Sequence, residues 1–473
     1  MTEDQPDTPD QLTLRLTTVA HGGHMVSRSP DGRVVFVRHG APGELVRVRL
    51  TDHGEDATFW RADVVEVLES SADRRSQHPW AAADALRAAR EGHAPVGGAE
   101  FGHLTLGAQR ELKRAVVAEQ LAHLAGIEWH GQVAAVADES PDGTGWRTRL
   151  HLDVTADGTA GMYPHRSNDL VPITDMPLVT DAISACAPWE LSVPGAARLD
   201  IAAPANGGRP LLHVGLLPRQ DPETLCALRA RLTAWGSEHG VSVTAQSPGD
   251  REIQTWSGEA LVRETLEVPG GDALTWRVSP TGFWQIHRAA PRTLVDAVLA
   301  AARIKAGETV WDLYSGAGLF TAAAARAVGP RGRVFAVEGS PVTSADAREN
   351  VAGRENVRVT RGDAARVLTG RDPARRRRGA PRGQRRPAVR APRPDVVILD
   401  PPRSGAAKEV LSAIDGADPH TVVYVACDPA ALGRDLGRLS RRGWKVTTVK
   451  AFDLYPNTHH VEAVAVLRRN DAT

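Results

Sequence analysis

The strongest constraint on the fold of this 473-residue chain is a change of pattern near residue 273, after which apolar runs alternate with helical stretches. Thr309 to Leu313, Arg333 to Val337, Val357 to Val359, Asp395 to Leu399 and Thr421 to Val425 are short and largely apolar. That composition is expected of strands covered on both faces. Helical stretches separate them: Leu319 to Val328, Pro341 to Glu349, a helix from Ala406, and Ala430 to Leu439. A helix over Ala289 to Ile304 leads in, and Trp444 to Val449 follows. Strands alternating with helices predict an α/β fold, a doubly wound, mainly parallel sheet that binds ligands beyond the carboxyl ends of its strands.

Those strand ends carry the chain's unusual chemistry. The first strand runs into Asp312-Leu-Tyr-Ser-Gly-Ala-Gly318, where Gly316 and Gly318 let backbone approach a ligand closely. The pattern lacks the third glycine of a dinucleotide fingerprint. Glu338 ends the second strand, where a carboxylate accepts both hydroxyls of a ribose; Asp363, in Gly362-Asp-Ala364 after the third, suits an adenine contact. With no pyrophosphate cradle, this order fits S-adenosylmethionine better than NAD. Asp400-Pro-Pro-Arg403 closes the fourth strand, with prolines fixing the backbone and removing N–H donors. Cys427 ends the fifth, just before a helix N-terminus that favours a thiolate. Alone, it reads more readily as a buried packing cysteine, and the neighbouring motifs reverse that reading. Glu462 opens the apolar run Glu462 to Leu467, where a charge is costly unless used or paired. His459 and His460 lack a third ligand, so no metal site is expected.

The remainder reads as two further domains. Residues 10–70 hold short strands and turns, including His21-Gly-Gly-His24, as in a small OB-like β-barrel. Residues 71–272 read as a central α+β domain, and residues 273–470 as the domain with the motifs. Formal charge is zero overall, but Arg371 to Pro394 carries ten arginines and one aspartate, leaving −9 on the rest. Segment 371–394 is expected to be a disordered basic insertion. Three scattered cysteines, Cys186, Cys226 and Cys427, exclude a disulfide framework; Cys186 and Cys226 read as packing residues. With no apolar membrane span and a polar, acidic start, the chain reads as cytoplasmic.

Several ordered motifs resemble the RNA uracil-5 (5-methyluridine) methyltransferase family: Phe283-Trp-Gln285, Asp312 to Phe320, Asp400 to Gly405, Cys427-Asp-Pro429 and His459 to Glu462. Ala20-His-Gly-Gly23 and Gly32 to Val37 resemble its RNA-binding TRAM domain. The resemblance implies a class I, S-adenosylmethionine-dependent enzyme that forms 5-methyluridine in tRNA or rRNA; a monomer is expected. It assigns Cys427 as nucleophile, Glu462 as base, Asp400 and Gln285 as orienting groups, and Tyr314, Glu338 and Asp363 as donor-binding residues. The chain departs from the family at Asp428, where asparagine is usual, and at His287. The usual C-G-G-C segment of an iron–sulfur cluster reads Val96-Gly-Gly-Ala99, so no cluster is expected. Two rival readings are an RNA cytosine-5 methyltransferase and a non-catalytic protein that binds S-adenosylmethionine and RNA. Arg403 and Ser404 in the loop, where a second cysteine would serve cytosine chemistry, oppose the first; the intact set of Cys427, Glu462 and Asp400 opposes the second.

Overall fold

A computed structural model describes residues 10–268, 270–370 and 391–469. Most of the arginine-rich insertion therefore lies outside the described residues. Its end does not read as an independent tail: the Trp311 indole N–H donates to Pro392 O at 2.8 Å.

The last sheet has eight strands, in the spatial order Val357–Arg361, Arg333–Glu338, Thr309–Leu313, Val396–Leu399, Thr421–Ala426, Glu462–Arg469, Trp444–Phe452 and Val133–Ala134. The first five are parallel. All residues of Val396–Leu399 and Thr421–Ala426 are buried, because helices cover both faces. After Thr309–Leu313 the chain builds outward on one side, then returns to pair Val396–Leu399 on the other. That reversal opens a crevice beyond the carboxyl ends of these strands. Glu462–Arg469 then runs antiparallel to Thr421–Ala426, with Ala426 facing Ala463. Continued by one residue, this register sets Cys427 opposite Glu462. The end of one strand and the start of another thus meet at the same edge.

Residues 106–134 lie in the chain's middle stretch but pack on this last sheet. Val133–Ala134 pairs with Ala451 and Phe452. Helix Leu106–Ala125 lies against helix Pro429–Ser440, and glycines permit the close approach. A Cβ on Gly433 would stand 2.6 Å from Gln120 O, and one on Gly437 2.5 Å from Leu124 O.

The N-terminal six strands form one sheet over a core that includes Leu14, Met25, Val35, Val46 and Val64. Alternating burial along Leu45–Asp52 separates this core from solvent. Thr17 N–H donates to Val26 O, which curls the first strand's end back onto the third. A separate seven-stranded sheet spans Arg149–Val154 to Gln254–Ser257, with helix Pro222–His239 as the crossover between two parallel strands. A hairpin, Val262–Leu266 with Leu274–Val278, connects it to the last sheet. No helix among the described residues is long and apolar enough to cross a membrane.

Candidate active site

The crevice is a cavity of about 830 Å³. Its wall brings together Gln285, Tyr314, Gly316, Glu338, Asp400, Cys427 and Glu462. Of the residues expected in the site, Gly318 and Asp363 stand outside the wall. Gly318 caps helix Leu319–Val328 in the left-handed conformation (φ 89°). Asp363 is the N-cap of helix Ala364–Thr369, accepting Arg366 N–H at 2.8 Å through Oδ1.

The glycine turn is pinned from below. Trp276 Nε1 donates to Gly318 O at 3.1 Å, and Asn350 Nδ2 donates to Ala317 O at 2.9 Å. Tyr314 holds a positive φ of 64°, uncommon for a residue with a side chain. Gly316, at φ 55°, leaves open space where a Cβ would find nothing closer than Phe283 at 3.9 Å. Glu338 accepts from Gly316 N–H at 2.9 Å and Ser340 N–H at 2.7 Å, which fixes its carboxylate at the strand end. The Ser315 and Thr343 hydroxyls are buried without a partner among the described residues, and both residues line the cavity. An open glycine floor, a fixed carboxylate and unpaired hydroxyls fit a nucleoside-bearing methyl donor.

Two carboxylic acids, Asp400 and Glu462, and the Cys427 thiol line the same cavity. Burial pushes Asp400 up to about 7. Glu462, only 3% exposed, is pushed well above the usual carboxylate range, by burial first and Asp400 second. The Tyr455 hydroxyl donates to Glu462 Oε2 at 3.4 Å and opposes that shift. Burial, then Glu462 and Asp400, push the Cys427 thiol up to about 12; Arg403 pulls it down, and Asp428 adds the smallest upward push. The helix N-terminus therefore does not yield a free thiolate. Burial and the two carboxylates favour the thiol over the thiolate, so attack requires that its proton pass to a neighbour.

The loop between Asp453 and His460 is clamped by helix Leu106–Ala125. Lys113, fully enclosed, donates to Asp453 and, at 3.0 Å, to Tyr455 O. Gln109 Nε2 donates to Asn457 Oδ1 at 3.0 Å, and Asn457 N–H donates to Gln109 Oε1 at 2.7 Å. The loop after Asp400 is held by Asp435, whose Oδ2 accepts from Ala406 N–H and the Tyr424 hydroxyl, each at 2.8 Å. Reading the strand ends alone misses these residues. Their signal is a set of polar side chains on helix faces that are otherwise apolar.

His287 stacks on Trp146 at 5.4 Å between ring centroids, and burial holds it down to about 3. His460 lies 3.2 Å from Arg403 Nη2 and is held to about 3 by burial, His459 and Arg403. No group of three or more metal-ligating side chains is assembled among the described residues. Val96 and Ala99 pack into the middle core with Trp80 and Met176. Such apolar side chains do not fit an iron–sulfur cluster. Cys186 is buried, but Cys226 is exposed and is not the packing residue expected, since it lies on an outer helix face.

The sequence model of the tRNA (uracil-5-)-methyltransferases matches residues 222–470, which contain the glycine turn, Asp400, Cys427 and Glu462. The chain belongs to that family. Its relatives match over nearly full length. An uncharacterized RNA methyltransferase of Streptomyces avermitilis is 38% identical over 97% of this chain and 98% of its own. One from Bifidobacterium longum is 33% identical, covering 98% of each. The 23S rRNA (uracil(1939)-C(5))-methyltransferase of Acinetobacter baylyi is 27% identical over 97% of this chain and 96% of its own. In fold, the chain is similar to the Pyrococcus abyssi tRNA (uracil-54, C5)-methyltransferase, solved with S-adenosyl-L-homocysteine. The TM-score is 0.67 at 18% identity, covering 96% of this chain and all of that one. Family membership makes this chain an RNA (uracil-5-)-methyltransferase and decides the base in favour of uracil over cytosine.

Proposed function

We propose that the chain methylates C5 of a uridine in tRNA or rRNA through a covalent bond between Cys427 and C6. The observation that carries this reading is the antiparallel register that sets Cys427 opposite Glu462, with Asp400 in the same cavity. C5 of uracil is a weak nucleophile. Attack of Cys427 Sγ on C6 makes it enolate-like. The thiol's proton passes to the Asp400 carboxylate, which burial makes more basic than an ordinary aspartate. S-adenosylmethionine, when bound, supplies an electrophilic methyl on a cationic sulfur. Tyr314, Gly316, Glu338 and Gln285, which line the same cavity, would hold it. Glu462, in its ionised form, then takes the C5 proton as a general base and passes it to solvent on product release. The C6–S bond breaks, and Cys427 recovers its proton from Asp400. The two carboxylates thus handle separate protons. The uridine must leave its stack to enter the cavity, and the N-terminal sheet, read as a TRAM domain, grips the flanking RNA.

The test is release of tritium from RNA transcripts carrying [5-³H]uridine. tRNA and rRNA transcripts are assayed separately, so the preferred RNA class is read in the same experiment. Donor-dependent release from either supports the proposal. Methyl incorporation without tritium release contradicts C5 chemistry.

A further inference from the structure

Behind Cys427, on the side away from the donor turn, lies a second cavity of about 90 Å³. Cys427, Arg403 and His460 line both cavities. The far wall of the small one is His21-Gly22-Gly23, a turn of the N-terminal sheet. His21 Nε2 lies 3.0 Å from Asp428 Oδ2, 407 residues away in sequence. That contact, before any other influence, draws the His21 ring toward its protonated form. Asp428 Oδ1 accepts Ala431 N–H at 2.7 Å and so caps helix Pro429–Ser440. One carboxylate therefore both starts the helix after the nucleophile and anchors the turn. Gly23 completes the docking. It adopts φ +80°, and a Cβ there would stand 2.4 Å from His459 Cβ and 3.2 Å from Phe101. The turn sits against the histidine pair that precedes Glu462.

We propose that His21 is a positioning residue for methyl transfer: joined to Asp428, it fixes the helix cap that aims Cys427, so the N-terminal sheet forms the rear wall of the active site as well as meeting RNA. This rests on Cys427 being the nucleophile. Asparagine at position 428 would keep an oxygen for the cap but lose the charged partner, so this chain has an ionic tie at a position where the cap alone needs none.

The experiment compares His21→Ala, Asp428→Asn and the double variant with the full-length protein. Methyl transfer is measured with saturating S-adenosylmethionine over a range of tRNA and rRNA transcript concentrations, so that kcat and KM for RNA are read separately. Amide hydrogen exchange of the peptide spanning residues 427–433 is measured without substrate. Each single variant is expected to lower kcat by roughly ten- to hundredfold, as for a slightly misplaced reacting group, with KM for RNA little changed. The double variant should be no worse than the poorer single, because the two residues act as one unit. Exchange at Ala431 should quicken in His21→Ala. A raised RNA KM with unchanged kcat would overturn the proposal, leaving the turn as an RNA contact. So would independent, multiplicative effects of the two substitutions. If His21→Ala fails to fold, Asp428→Asn, which preserves the cap, decides alone. If the wild type transfers no methyl group, the Proposed function fails, and the exchange arm still decides whether His21 orders the cap.

Discussion

Asp453 and Glu462 sit nine residues apart in one loop-and-strand segment, both buried, and they are treated in opposite ways. Asp453 is fully enclosed with Lys113 against it and Arg110 at 3.8 Å. Glu462 makes no salt bridge among the described residues; its neighbours are Asp400, Cys427 and the Tyr455 hydroxyl. A buried carboxylate with a cation beside it holds two segments together, here residues 340 apart in sequence. One surrounded by other acids is poised to exchange a proton. The Asp453 pair fixes the base of the loop, so that Glu462 is held still despite an environment that disfavours its charge.

The comparison can be broken from either side. The largest effect is expected at Glu462. Glu462→Gln should lower methyl transfer by roughly 10²–10⁴-fold, the usual contribution of a general base, without lowering the melting temperature. A stability loss with intact turnover would reverse the roles assigned to the two acids. Next is Lys113→Met, which leaves buried Asp453 with only Arg110, at 3.8 Å, in place of its close cation. We predict a loss of about 3–5 kcal/mol in denaturant unfolding. Lys113→Met combined with Asp453→Leu should recover most of that loss, because removing both charges leaves none unpaired.

A smaller effect separates the two by pH. Asp400 has a folded pKa of about 7 against an ordinary value of 3.8. Between those values the folded chain binds more protons than the unfolded one, so Asp400 costs stability as pH rises through that window. Asp400→Asn should therefore raise the melting temperature more at pH 8 than at pH 5. The wild-type rate should climb through pH 7 as Asp400 ionises, and the variant should lose that inflection. The smallest effect is expected at Asp435→Asn, which weakens the hold on the loop after Asp400 by about 1–3 kcal/mol, read as a lower melting temperature.

The α/β domain was legible because its strands are buried on both faces and therefore read as unbroken apolar runs. Each run ends where polar residues begin, which located Glu338, Asp400 and Cys427 at one edge. The facing of Cys427 and Glu462 was less legible. It depends on the last strand pair running antiparallel, and a run such as Ala463 to Leu467 carries no mark of direction. Asp363 shows the ambiguity of a single acid between strand and helix: a ligand contact and a helix cap look the same in sequence, and the structure shows the cap. Lys113 and Gln109 were invisible as a clamp because their partners, Asp453 and Asn457, lie more than 300 positions downstream. The packing of residues 106–134 on the last sheet has the same cause, since pairing of Val133–Ala134 with Trp444–Phe452 is set by distance in space, not along the chain.

The most direct test of the unpaired carboxylate and its facing thiol is to stop the reaction between them. Glu462→Gln protein is incubated with S-adenosylmethionine and RNA transcript, denatured, and analysed by mass spectrometry. We predict a covalent protein–RNA adduct at Cys427 in which the uridine already carries the methyl group, because the C5 proton cannot leave. Glu462→Gln combined with Cys427→Ala should give no adduct. An adduct at another residue, or full turnover by Cys427→Ala alone, would contradict the assignment.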